Sequence, residues 1–137
     1  MVTAFVILAL CGLLGLRALV ARGFLFQPVT DGRGHVSVLI GAYGWPGCDD
    51  RLYLHGENDA VAARAVPAAR GGSDDVVWSY QGDALSTVHA LVELPAPHEP
   101  GAPWLARRAP SGLWLPDGVR GSFELVTRTA RSRCARP

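Results

Sequence analysis

From Val2 to Leu16 every residue is apolar or small except Thr3, and after Arg17 the apolar character resumes over Ala18 to Ala21. About 20 helical residues, at 1.5 Å rise each, cross the roughly 30 Å hydrocarbon core of a bilayer. The pattern therefore predicts a transmembrane helix over residues 1–22, in contact with membrane lipid and making the chain a single-pass protein of the cell membrane. Arg17 falls near the end of the run, where its stem can carry the guanidinium to the headgroups. A cleaved signal peptide needs a basic start and small residues before the cut. No side chain ahead of Arg17 is charged and Leu19 is large, so the segment reads as an uncleaved signal-anchor. Cys11 follows Leu10, which is too large for a lipidation signal. Arg17, Arg22 and Arg33 all lie at or beyond the end of the span, and the positive-inside rule then favours a cytoplasmic domain over an extracytoplasmic one.

Beyond the span the period changes from helical to alternating. Residues 23–34 begin apolar and end in Asp31-Gly32 turn chemistry, with Pro28 barring an internal helix, and predict a juxtamembrane connector. From His35 to Tyr43, Val36, Val38, Ile40 and Ala42 alternate with the intervening residues, as in a strand with one buried face. Gly44 to Asp50 reads as a break, and Arg51 to His55 as a short second strand. Asp59 to Val66 fits either a strand ended by Pro67 or one or two helical turns capped by Asn58 or Asp59. Val76 to Tyr80 and Thr87 to Leu94, joined across Gly82-Asp83, predict a hairpin. Pro95 to Pro103 carries four prolines and predicts an extended surface loop. Further strands are expected at Trp104–Ala106, Leu113–Leu115 and Ser122–Thr129. Residues 35–129 are thus expected to form one mainly-β domain, a small antiparallel sandwich or barrel, followed by a basic flexible tail at 130–137.

Composition narrows this only slightly. The roughly 115 residues past the span suffice for one domain with a single core. All 13 basic side chains are arginine, which reflects a GC-rich coding bias more than a ligand, and the net charge of +1 gives no drive toward specific nucleic-acid binding. Four arginines between Arg128 and Pro137 form the one local basic stretch. Cys48 and Cys134 are the pair available for a disulfide if the domain is extracytoplasmic. It would close a loop of about 86 residues, worth about 4 to 5 kcal/mol in the chain-entropy view.

The chemistry on offer is sparse. Asp49, Asp50, His55, Glu57 and Asp59 put four carboxylates and an imidazole within eleven residues, an oxygen-rich set of the kind that holds calcium, magnesium or manganese, although the spacing matches no EF-hand or H-E-x-x-H pattern. No nucleophile elbow or C-x-x-C motif occurs, and no cofactor is indicated. Trp45 and Trp104 sit beside proline and glycine at strand ends, where aromatic rings can line a ligand groove. The expectation is a noncatalytic, membrane-anchored module that binds a protein partner. The alternative is a small metal-dependent hydrolase using the Asp49 to Asp59 segment.

Overall fold

A computed structural model of the chain describes residues 13–30, 32–67, 74–110, 113 and 127–128. Helix α1 (Leu13–Arg22) leads into strands β1 (Leu25–Thr30), β2 (Val36–Trp45), β3 (Cys48–Gly56), β4 (Asp59–Val66) and β5 (Asp75–Gly82), and helix α2 (Ala84–Glu93) follows. The five strands form one antiparallel sheet in the order β1-β2-β3-β4-β5. The mainly-β expectation holds at this level. The sandwich or barrel does not appear among the described residues, which give a single open meander with helices on one face.

Alternation along the strands sorts the side chains into two layers. On the helix-bearing face Leu39, Leu52, Leu54, Ala60 and Ala62 pack with Phe24 and with Leu16, Leu19, Ala84, Val88 and Leu91 of the helices. On the other face Val29, Val38, Ile40, Tyr53 and Val61 form a second cluster, reached by Leu113. The middle strands are therefore buried on both sides. That explains why Asp59–Val66 shows no clean period in the sequence, and why β2 buries Leu39 as well as Val38 and Ile40. Small residues let layers approach. The Phe26 ring lies over Gly41, where an added Cβ would come within 2.6 Å of it.

Three sequence expectations change. The connector predicted at 23–34 contains β1, whose Pro28 is tolerated because β1 is an edge strand. The break predicted at Gly44–Asp50 is a tight hairpin. Trp45 pairs with Cys48 around Pro46-Gly47, and Gly47 at φ 83° supplies the positive φ that a type II turn needs at its second central residue. The strand predicted at Thr87–Leu94 is helix α2, which buries Ala84, Thr87, Val88 and Leu91 at helical spacing. Asp83 caps this helix by accepting from the Ser86 amide at 3.0 Å.

The predicted span over residues 1–22 also changes. Residues 1–12 lie outside the described residues, but α1 belongs to the fold. Leu16 and Leu19 are buried, Leu19 completely, and Gly15 comes so close to α2 that an added Cβ would meet the Val88 side chain at 2.8 Å. Among the described residues no helix is long and apolar enough to cross a membrane. Part of the apolar run is thus core rather than lipid-facing surface.

Candidate functional site

A cleft of about 410 Å³ lies at one end of the sheet, where the close of α1, the β2–β3 hairpin and the segment after α2 converge. Its floor is aromatic. Phe24 and Tyr43 stack with ring centroids 5.5 Å apart, and Tyr43 meets Trp45 nearly edge-on at 4.8 Å. Val92, Leu94, Pro95 and Ala96 form the opposite wall, and Arg22, Glu93 and Glu99 stand on the rim.

A buried ion pair fixes this geometry. Asp50 on β3 and Arg64 on β4 are direct partners in the sheet register, so both side chains project to the same face. Arg64 donates from Nε to Asp50 Oδ1 at 2.7 Å and from Nη2 to Oδ2 at 3.0 Å, while Trp45 Nε1 donates to the same Oδ2 at 2.8 Å. Arg64 Nη1 then reaches the Pro95 carbonyl at 2.7 Å, and its guanidinium lies 5.9 Å from the centroid of the Trp45 ring. One arginine, only 1% exposed, thereby ties the aromatic floor to the far wall. Removing two charges from water is costly even when they pair, so such a pair is better explained by the geometry it imposes than by stability it adds.

The expected metal set does not assemble. Asp50 faces the helices while Asp49 and His55 lie on the opposite face, about 20 Å apart along β3 at strand rise. Glu57 and Asp59 are exposed at the β3–β4 turn. Among the described residues no group of three or more histidine, cysteine or acidic side chains can hold a metal ion. Asp49 instead accepts from Arg51 Nε at 2.6 Å, and Arg51 also reaches Asp74 at 2.5 Å. Burial works against the Arg51 charge, but hydrogen bonding and attraction from Asp49 outweigh it and hold the guanidinium above its ordinary pKa. Burial likewise pushes the neighbouring Tyr53 hydroxyl above the usual tyrosine range.

The two tryptophans expected to share a groove are separated. Trp45 lines the cleft, whereas Trp104 is 82% exposed and borders a shallower depression of about 550 Å³ with Val77, Leu105 and Arg107. That depression forms because the chain after the proline segment returns to the edge of the sheet, where Val76 and Arg107 exchange backbone hydrogen bonds of 2.8 Å each. Cys48 is buried at the start of β3, and Cys134 and the basic tail at 130–137 lie outside the described residues.

Phe24, Tyr43 and Arg64 were not anticipated as site residues. Arg64 carries the only available signal, a charged side chain in the otherwise apolar run Ala60–Val66. Family models, curated proteins and solved structures were all searched, and none matches this chain. Fold and site define a mainly-β domain with an aromatic cleft held in shape by a buried ion pair.

Proposed function

We propose that this chain is a noncatalytic binding module whose ligand seats in the aromatic cleft, and that the apolar residues ahead of Gly15 attach it to a membrane. The observation that carries the binding reading is the cross-tied cleft. Asp50 fixes the Trp45 ring through its Nε1, and Arg64 fixes the facing wall through the Pro95 carbonyl, so the walls need little ordering when a ligand arrives. The cleft sets apolar and aromatic walls beside a few placed polar groups, the mixture from which small-ligand sites draw both contact area and orientation.

The course of α1 is compatible with both halves of the proposal. Gly15 lies against Val88 in the middle of α2, while Arg22 lines the cleft beside Glu93, so the two helices run in the same direction. The start of α2 adjoins the β3–β4 turn, where the Ala84 amide donates to the Glu57 carbonyl at 2.8 Å. Helix α1 therefore ends at the cleft and begins away from it, an arrangement compatible with attachment to a membrane through the residues before it.

Filling the cleft tests the binding reading. Ala96 lines it and is half-buried, so Ala96→Trp places a large ring in the ligand volume. Compounds that raise the thermal midpoint of the wild-type chain in a fragment screen are expected to lose that effect in Ala96→Trp. If the variant remains folded and every such compound still acts on it, the cleft is not the binding site.

A further inference from the structure

We infer that Trp104 and Leu105 form a wedge that enters the surface of a bilayer, with Arg107 and Arg108 set against anionic lipid headgroups. The inference goes beyond the attachment proposed ahead of Gly15, since it concerns the β5 edge of the sheet, and it does not depend on the cleft. Trp104 is 82% exposed and Leu105 70%, more than any other large apolar side chain among the described residues. Neither belongs to a fraying end. Arg107 exchanges two backbone hydrogen bonds of 2.8 Å with Val76 at the start of β5, and upstream the Ala102 amide donates to the Glu99 carbonyl at 3.2 Å, so the stretch between them is held at both ends. Pro103 fixes a further backbone angle within it. The tip is thus presented to solvent by an ordered support, a costly arrangement for an indole and a leucine unless something covers them.

Charge selects the occupant. From Pro100 to Pro116 the only charged side chains are Arg107 and Arg108, with no acid among them, and both are exposed. Tryptophan beside arginine suits the membrane–water boundary, where the indole sits at headgroup level and the guanidinium reaches lipid phosphate. Anionic lipids attract such cations within a Debye length of the surface. A stable protein partner needs about 800 Å² from each side with matched contours. Here the apolar surface is a protruding two-residue tip beside a shallow depression, and a fluid bilayer closes around such a tip without a matching contour. Ala65 pairs with Asp49 on one side and with Val76 on the other, so the wedge stands at the end of the sheet that carries the β2–β3 hairpin, the end toward which α1 runs. Combined with an attachment ahead of α1, it lays the domain along the bilayer. Two side chains and two arginines make a weak contact, which orients a chain already held at the membrane rather than retaining it alone.

The test mixes the full chain with vesicles of phosphatidylcholine containing a minor share of phosphatidylglycerol, with plain or brominated acyl chains, bromine quenching any indole that reaches it. Trp104→Phe removes one exposed indole, so the difference between wild type and this variant reports Trp104. Most of that Trp104 emission is expected to be lost in brominated vesicles. The loss should fall several-fold in Arg107→Gln/Arg108→Gln, in raised salt and in vesicles of phosphatidylcholine alone, and should vanish in Leu105→Glu, all at exposed positions where folding is not at stake. A wild-type chain that sediments with the vesicles but keeps its Trp104 emission overturns the wedge and leaves the attachment ahead of Gly15 standing. A chain that does not sediment with them overturns both. Equal quenching in anionic and neutral vesicles overturns the pairing of the arginines with headgroups. Trp104 emission that shifts to the blue with rising chain concentration in lipid-free buffer overturns the bilayer as the occupant and assigns the tip to a second copy of the chain.

Discussion

Arg64 shows how one side chain can organise a site it was not expected to belong to. Its guanidinium satisfies both Asp50 oxygens and a carbonyl on a separate segment, and it is nearly inaccessible to solvent. Arg64→Met should therefore cost about 3–5 kcal/mol, because it leaves the Asp50 carboxylate buried with only the Trp45 indole as a donor. Replacing both partners, as in Asp50→Leu/Arg64→Met, should recover most of that loss in chemical denaturation, while the wall at Pro95 loosens and ligand binding falls. If the single and double variants are equally unstable, the pair contributes packing rather than compensated charge. The sequence displays Asp50 and Arg64 plainly enough but says nothing of their pairing, which exists only once the β3–β4 register is set. The same holds for the acidic residues from Asp49 to Asp59. Closeness along the chain suggested a metal site, yet strand alternation sends Asp49 and Asp50 to opposite faces.

Among the elements, β2 was legible because Val36, Val38 and Ile40 alternate and are β-branched, and of β3 only Arg51 to His55 was read, whereas β4 stayed ambiguous because burial on both faces erases the period. Helix α2 was misread for a different reason. Val88, Ala90, Val92 and Leu94 alternate as strand residues do, and only the spacing of Ala84, Thr87, Val88 and Leu91 reveals the face that is buried. The local signal that could have decided the matter was Asp83, an N-cap residue placed directly before the run. Hydrogen bonding from the Ser86 amide holds the Asp83 carboxyl below the usual aspartate range. A carboxylate with a depressed folded pKa contributes stability above its unfolded value of about 3.9, and that contribution disappears as pH falls through the folded value. Asp83→Ala should accordingly unfold at a lower temperature than wild type at neutral pH, with the gap closing as the solution is acidified below about pH 4. Asp83→Asn keeps a capping oxygen without a titrating group, so its thermal midpoint should follow the shallower acid dependence of Asp83→Ala while staying above it near neutrality. A gap between wild type and Asp83→Ala that is constant with pH would show that the carboxylate charge plays no part in the cap.

At the scale of the whole molecule, the apolar run at the amino end has a place in the core, and hydropathy alone cannot separate that place from the membrane attachment we propose for the residues before Gly15. Leu16 and Leu19 look the same as Leu8 and Leu10 in any sliding window, yet the first two are buried against α2 and the sheet. A hydrophobic core and a bilayer select the same side chains, and only the packing partners tell them apart. Substitutions on the two sides of Gly15 should consequently have opposite signatures. Leu19→Ala removes a fully buried side chain and is expected to cost about 2–5 kcal/mol of domain stability, read as a shift in the denaturation midpoint, without altering recovery of the folded chain in the membrane fraction. Replacing Val6, Leu8 and Leu10 with serine should release the chain from that fraction while leaving the midpoint of the domain within experimental error. A large loss of stability from the serine substitutions would mean that the core extends further toward the amino end than Leu16. Retention in the membrane despite them would move the attachment to another surface, and the exposed Trp104 and Leu105 beside Arg107 would be the next place to look.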